Sequence, residues 1–184
     1  METFWKSGYA GTSLDDLAAA TGMNRPSLYA AFGDKRALYL EALRHYWRMG
    51  ARDMREVLSE ERPLRDALND FYERAIAIYC GVPGRPPGCF SVSTAPAAAA
   101  EDEEIRIALA ESVRRLDERL EALIRAAQER GEIAEIADPA ALAMLGTATL
   151  HTIAIRARAG VGADELTRMA RMAVTAICNV RAGE

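Results

Sequence analysis

The segment Thr12–Lys35, TSLDDLAAATGMNRPSLYAAFGDK, constrains the fold of this chain more than any other part of it. Two short amphipathic patterns meet at Gly22, where a left-handed turn favours a residue without a Cβ atom. A second turn at Gly33 and Asp34 leads into a third helix. This succession is typical of a helix-turn-helix, a motif that places its second helix in the major groove of DNA.

Capping residues support each of these helix starts. Thr12 or Ser13 offers a hydroxyl to the unpaired N–H groups of the first helix. Asn24 is a suitable cap for the second helix, and Pro26 lies in its first turn, where a missing N–H does no harm. Asp34 is the expected cap of the third helix.

The second helix, predicted over residues 25–32, has an outer face suited to a groove of DNA. Leu28 and Phe32 are four residues apart and are both predicted to face the core. The outward side chains are Arg25, Pro26, Ser27, Tyr29 and Ala30. Each alone is explained as a surface or half-buried residue, and the combination favours DNA binding.

These side chains predict particular contacts. Arg25 can pair with O6 and N7 of guanine, the commonest specific base contact, while Pro26 and Ala30 suit the methyl group of thymine. Phosphates, which fix register without carrying sequence information, are the expected partners of Ser27, Tyr29 and Lys35.

The run Gly8–Leu43 resembles the DNA-binding domain of the TetR family of bacterial transcriptional repressors over about 36 residues. The most specific part is Ser27-Leu28-Tyr29, followed by Phe32-Gly33-Asp34-Lys35. The resemblance implies recognition-helix positions for Asn24, Arg25, Pro26, Ser27, Tyr29 and Ala30. It also implies that Thr12, Ser13 and Lys35 contact the DNA backbone.

The beginning of the chain departs from this family pattern. Family members start with a longer first helix preceded by a basic arm, whereas only METFWKSGY stands before the first turn here. Phe4 and Trp5 are the apolar anchors expected in that short helix. The pattern predicts either a start further upstream or a shortened domain with reduced affinity for DNA.

Beyond Lys35 the sequence predicts an all-α fold, in which a three-helix head, residues 1–45, is joined by a long helix to a helical body, residues 46–184. The clearest loop is GVPGRPPG at residues 81–88. Helices are predicted from Asp34 to about Leu58, from Pro63 onward, from Cys89 to about Ala100 with an interruption near Pro96, and over residues 101–130, 140–159 and 163–180.

Of the last two helices, the first is apolar on nearly every side and the second offers a further apolar packing stripe. The helix at residues 140–159 is apolar nearly all round and must therefore be covered on every side. The resemblance implies that the two terminal helices form a four-helix dimer interface. We therefore expect a homodimer that binds a pseudo-palindromic double-stranded DNA operator.

The resemblance also implies a small-molecule effector that binds within the helical body. The candidate lining residues, each of which could equally belong to an ordinary core, are Phe71, Tyr72, Tyr79, Phe90, Met144 and His151. No paired thiol and carboxylate spacing supports a metal site, and no cofactor is expected.

Two alternatives to a ligand-responsive repressor remain open. Cys89, beside the loop that contains Arg85, is a candidate reactive thiol that senses oxidants or electrophiles, although a small buried side chain would look the same in the sequence. A head with a shortened first helix would leave a dimeric small-molecule-binding protein with impaired DNA binding.

Charge and composition agree with a cytoplasmic regulator. The net charge is −4, but residues 1–52 carry +2 and the rest of the chain −6, so that the head is the mildly basic part. No signal peptide is recognised, and the apolar stretch Pro139–Ile155 is interpreted as a buried helix rather than a membrane span. No catalytic motif is found, so an enzyme is not expected.

Overall fold

The computed structural model describes residues 1–81 and 87–180, and this part of the chain forms nine α-helices and no strand. The helices are α1 (Glu2–Ser7), α2 (Leu14–Thr21), α3 (Arg25–Phe32), α4 (Lys35–Asp53), α5 (Leu64–Gly81), α6 (Phe90–Ala99), α7 (Glu103–Glu129), α8 (Pro139–Arg158) and α9 (Ala163–Cys178). Most of the predicted loop at residues 81–88, including Arg85, lies outside the described residues. The all-α prediction is confirmed.

Buried apolar side chains form two clusters that do not divide the chain at a single point. The body core is built by α5, α7, α8 and α9. The head core contains side chains of α1–α4 together with α6 and the start of α7, namely Phe4, Trp5, Leu17, Leu28, Tyr39, Leu40, Leu43, Phe90, Ala95, Ala98 and Ile105. The helix-turn-helix region therefore shares its core with α6, more than fifty residues further along the chain.

Two predicted helix boundaries were wrong. The long helix ends at Asp53 and not near Leu58, because the guanidinium of Arg74 donates to the Asp53 carbonyl and the following turn brings Val57 and Leu58 into the body core. Pro96 does not interrupt α6, which continues through it to Ala99. The proposed division of the chain after residue 45 falls inside α4 and stays a prediction.

Within the described residues, α8 is long and apolar enough to cross a membrane by length and composition. Its buried face packs against α5, α7 and α9. Gly146 permits this close packing, because a Cβ atom there would lie 3.1 Å from the Leu120 Cδ1 atom. The opposite face exposes Met144, Leu145 and Ile155. The apolar composition of α8 is thus explained on one side by the protein core.

Candidate nucleic-acid interface

The first helix of the motif, α2, begins with a capping box. The Asp16 backbone N–H donates to Ser13 Oγ at 3.1 Å, and the Asp16 carboxylate accepts from the Ser13 backbone N–H at 2.8 Å. Hydrogen bonds from the Ser13 side chain and backbone lower the pKa of Asp16. Of the two predicted caps, Ser13 is the one that caps this helix.

The turn between α2 and α3 also follows the sequence signals. Gly22 adopts the left-handed conformation with φ 69° and ψ 10°. The Asn24 side chain accepts from the Ser27 backbone N–H at 2.8 Å, which caps α3. Leu17 and Leu28 are buried and hold the two helices on the head core. Asp34 caps α4 by accepting from the Ala37 N–H at 2.7 Å.

The predicted recognition surface is open to solvent along α3. Its exposed side chains are Asn24, Arg25, Pro26, Ser27, Tyr29 and Ala30. The prediction that Phe32 faces the core was wrong, because its side chain is 38% exposed. α3 ends at Phe32, so Leu28 alone anchors its inner side and the Phe32 ring extends the exposed face at the end of the helix.

Thr12 and Lys35, both predicted to contact phosphates, are occupied within the head. The Thr12 side chain is 1% exposed, and its hydroxyl donates to the Gly8 carbonyl at 2.7 Å. Lys35 Nζ donates to the carbonyls of Tyr9 and Thr12 at 3.1 Å each and lies 4.6 Å from the centroid of the Tyr9 ring. These contacts attach the loop before α2 to the start of α4.

Arg25, the predicted base reader, forms an ion pair with Asp15 of α2. Its Nε atom donates to Asp15 Oδ1 at 2.7 Å, and its Nη2 atom donates to Oδ2. The hydrogen bond from Arg25 lowers the pKa of Asp15. Local sequence patterns do not reveal this contact, because the two residues are ten positions apart and meet across the turn.

The six predicted effector-lining residues do not surround one space. Phe71, Tyr72 and Tyr79 are buried in the body core, and the Tyr72 hydroxyl donates to the Gly146 carbonyl at 3.0 Å. Phe90 belongs instead to the head core. His151 is half-buried on α8, and burial lowers its pKa.

Met144 does not line the interior of the chain, because it lies on the outer face of α8 with 63% of its side chain exposed. Two surface depressions, of about 610 Å³ beside Leu64 and Asn179 and about 270 Å³ beside Glu118 and Glu129, include none of the six. Within the described ranges, no group of three or more His, Cys, Asp or Glu side chains could hold a metal ion.

An aromatic junction between head and body is a second feature that the sequence patterns did not reveal. The Phe90 ring lies 5.7 Å from Trp5, 5.9 Å from Tyr39 and 5.6 Å from Tyr46, measured between ring centroids. The hydroxyls of Tyr39 and Thr94 are 2.6 Å apart and buried. Burial raises the pKa of Tyr39 to about 12, so its hydroxyl stays protonated.

Polar contacts surround this junction. Arg36 of α4 pairs with Glu104 at the start of α7 at 3.3 Å, and Arg158 at the end of α8 donates to the Trp5 carbonyl at 3.3 Å. The Tyr46 hydroxyl donates to Cys89 Sγ at 3.3 Å. Cys89, the candidate reactive thiol, is therefore buried between the head and the start of α6. No sequence signal placed these residues together.

A capped helix-turn-helix with an exposed second helix defines a DNA-binding protein of the helix-turn-helix class, and similarity to known proteins identifies its family. The family described as "Bacterial regulatory proteins, tetR family" matches residues 1–42, and the "Tetracyclin repressor-like, C-terminal domain" matches residues 64–173. The HTH-type transcriptional repressor ComR of Escherichia coli (strain K12) is 31% identical over 171 residues, which cover 92% of this chain and 81% of ComR.

Solved structures agree with this assignment. A cysteine mutant of the TetR family transcriptional regulator CifR, complexed with 26-bp double-strand operator DNA, has a TM-score of 0.87 and 30% identity, covering 95% of this chain and 91% of CifR. A TetR regulator from Chloroflexus aurantiacus J-10-FL has a TM-score of 0.85 and 26% identity, covering 97% and 90%. The chain belongs to the TetR family and is a DNA-binding transcriptional repressor, not an enzyme.

Proposed function

We propose that this chain is a homodimeric, ligand-responsive repressor that acts in the cytoplasm. It inserts α3 of each subunit into a pseudo-palindromic operator and releases the DNA when a small-molecule effector binds the helical body. The observation that carries the proposal is the shared head core. Because α6 belongs to that core, a shift of α6 caused by an effector must disturb the packing of the head.

In the proposed complex, Arg25 reads guanine, and Pro26 and Ala30 contact bases. Ser13, Ser27 and Tyr29 contact phosphates, which is supported by their exposed positions. For Ser13, the hydroxyl must then leave the Asp16 carboxylate, to which it donates in the free protein. We leave the Thr12 side chain out of this surface because its hydroxyl is buried. Lys35 acts mainly by holding the loop before α2 and has one N–H left for a phosphate.

DNA binding is tested with a duplex selected from a random pool by the wild-type chain. Arg25→Ala is expected to cost about 1–3 kcal/mol of binding free energy at one position of each half-site. Ser27→Ala is expected to weaken binding to all sequences about equally, because a phosphate contact carries no base information. A chain that binds effector but no duplex would instead be a dimeric ligand-binding protein with an impaired head.

The proposed dimer interface is the outer face of α8 and α9. Leu145 and Ile155 on α8 and Met172 on α9 are exposed, and an apolar surface of this kind is covered in most soluble proteins. A second copy related by two-fold symmetry presents the same helices in return and forms a four-helix contact. Two heads held at fixed spacing then bind successive turns of DNA.

Dimerisation is tested by sedimentation of the full chain with matched substitutions. Ile155→Asp on the proposed interface is compared with Ile107→Asp on α7, since the two isoleucines are 58% and 56% exposed. We expect the first variant to be monomeric and to lose operator binding, while the second stays dimeric. Equal behaviour of the two variants would refute this interface.

Release of the operator is proposed to proceed as a population shift. An effector that binds better to the arrangement with displaced α6 lowers the population that fits DNA, and the operator weakens effector binding by the same factor. We propose an effector site in the body core near Phe71 and Tyr79 and beside His151 of α8, a helix that also packs against α6. Phe90 would transmit the shift to the head instead of lining the site.

This coupling is tested by screening small molecules for a raised unfolding temperature and titrating each positive compound against the operator complex. A compound that stabilises the chain is expected to lower operator affinity, and the operator is expected to lower affinity for that compound equally. Thr94→Val, which removes the hydroxyl that meets Tyr39, is expected to reduce the coupling. A compound that binds the body core without changing operator affinity would contradict the mechanism.

A second candidate input is the thiol of Cys89, which is favoured by its contact with the Tyr46 hydroxyl at the junction. Attack of the Cys89 sulfur, as thiolate, on hydrogen peroxide forms a sulfenic acid and releases hydroxide. The added oxygen must be accommodated in the packed junction, which would displace α6. Operator release by peroxide is expected in the wild type and in Cys80→Ser, whose thiol is exposed, but not in Cys89→Ser. Release that persists in Cys89→Ser would eliminate this input.

A further inference from the structure

The pair formed by Asp15 and Arg25 joins the two helices of the DNA-binding motif at their exposed side. Asp15 lies in the first turn of α2, and Arg25 is the first residue of α3. Two parallel hydrogen bonds connect the guanidinium to the carboxylate, from Nε to Oδ1 at 2.7 Å and from Nη2 to Oδ2. The side chains are 55% exposed for Arg25 and 70% exposed for Asp15, so both remain accessible to DNA.

The way in which the carboxylate meets the guanidinium determines which part of Arg25 is left for DNA. A guanidinium is planar and carries five N–H donors in a fixed arrangement. Asp15 occupies the edge formed by Nε and Nη2. The edge formed by Nη1 and the outer N–H of Nη2 stays free, and this is an edge that can donate to both O6 and N7 of guanine.

Stability of the free protein does not account for this pair. An exposed ion pair contributes little to folding because water and salt screen it. An aspartate beside a DNA-binding helix also repels phosphate, and Asp16 next to it adds a second negative charge that is already engaged by Ser13. The exposed carboxylate therefore has a cost for DNA affinity that an effect on Arg25 would offset.

We propose that Asp15 is a positioning residue that sets the base specificity of Arg25. It fixes the guanidinium before DNA arrives, so that less side-chain freedom is lost when the free edge meets guanine. Asp15 also disfavours contacts of Arg25 with a phosphate or another base, because Arg25 would have to turn away from the carboxylate to make them. The inference rests on the proposed function, in which α3 enters the major groove.

The test measures discrimination between bases and not affinity alone. Duplexes are selected from a random pool with the wild-type chain, and binding of the selected duplex and its single-base variants is followed by fluorescence anisotropy. The variants are Asp15→Asn, Arg25→Lys and the double variant. Glu41→Gln is the matched control, since Glu41 also pairs with an arginine, Arg48, at 2.7 Å along α4, so that the same charge is removed elsewhere.

For Asp15→Asn we expect discrimination at one guanine of each half-site to fall about tenfold, which is within the range of one bidentate base contact. Binding to unrelated DNA is expected to be equal or tighter, because one negative charge is gone. Arg25→Lys is expected to lose the same discrimination, with no further loss in the double variant. Glu41→Gln is expected to keep the wild-type base preference.

Three results would overturn the inference. Wild-type base preference in Asp15→Asn would show that Arg25 needs no positioning, and sharper preference would show that Asp15 withholds Arg25 from DNA. Both leave the proposed repressor function intact. Failure of the wild-type chain to select any duplex would remove the proposed function itself and this inference with it. Thermal unfolding of Asp15→Asn and Asp15→Ala confirms that the fold is retained.

Discussion

The helix-turn-helix and the short helix α6 lie in one head core but are held there by different kinds of interaction. α2 and α3 each begin at a side-chain cap, on Ser13 and Asn24, and meet at a glycine turn. α6 has no side-chain cap and contains a proline. Its position depends on the Phe90 ring and on the Thr94 hydroxyl, whose partners are remote in the sequence.

This difference separates the part that binds DNA from the part that controls it. Local signals fix the shape of the recognition surface, because each cap is within three residues of its partner. Contacts between distant segments fix how that surface is joined to the body. Contacts between distant segments change when one of the segments shifts, whereas a cap within three residues of its partner is kept. This difference suits α6 to transmit a signal.

The largest expected effect on stability is at the Phe90 ring, which joins α6 to the rest of the head core. Phe90→Ala is expected to lower the free energy of unfolding by about 3–5 kcal/mol, because it leaves a cavity among three aromatic side chains. Urea unfolding measures this loss. Phe32→Ala, at a partly exposed ring on α3, is the control and is expected to cost less than about 1 kcal/mol. Equal costs would mean that the junction does not hold the head.

Removal of the cap of α2 tests the local side of the comparison. Ser13→Ala is expected to cost about 1 kcal/mol, since it removes the acceptor for the Asp16 N–H. Ser13→Gly is expected to cost a few tenths of a kcal/mol, about the known difference for glycine at this position. Chemical denaturation compares the two variants. A loss in Ser13→Ala as large as that in Phe90→Ala would contradict the distinction between local and remote support.

A third substitution isolates the polar contact across the junction. Tyr39→Phe removes the hydroxyl that meets Thr94 and is expected to cost about 0.5–1.5 kcal/mol, as for a typical buried hydrogen bond. The cost is limited because the Thr94 hydroxyl can still donate to the Phe90 carbonyl at 2.9 Å. Tyr29→Phe on the exposed face of α3 is the control for thermal unfolding and is expected to leave stability unchanged.

The smallest effect is a dependence of stability on pH that involves the body alone. Burial lowers the pKa of His151 below 6.5, against the opposing charge of Asp117. The unfolded chain therefore binds a proton at this residue at a higher pH than the folded chain. Neutral His151 makes its full contribution to the stability of the folded chain above pH 6.5. This contribution is lost as the pH falls below that value.

Unfolding midpoints in urea at about pH 7.5 and about pH 5.5 test this sign, since the two values lie on either side of the ordinary histidine pKa. The decrease toward acid is expected to be smaller in His151→Gln than in the wild type. His45→Gln, at an exposed position on α4, is expected to keep the wild-type decrease. If His151→Gln shows the same decrease in unfolding midpoint toward acid as the wild type, His151 is not the cause of that decrease.

The helices of the head and their order follow from local sequence signals. Gly22, Asn24 and Asp34 act within a few residues of their own position, so the helix-turn-helix and the outward side of α3 could be predicted without tertiary information. The all-α fold followed from the same local periodicity. The exposure of Phe32 could not be predicted in this way. The apolar periodicity of a helix continues to its last residue, whereas the burial of that residue depends on what packs beside it.

The contacts of the predicted side chains depend instead on how the helices pack. This packing directed Lys35 to two backbone carbonyls, Phe90 into the head core and Met144 onto the outer face of α8. It also brought Asp15 against Arg25. These outcomes depend on how helices from distant parts of the chain pack together, and packing is a property of the assembled chain that no short stretch of sequence contains.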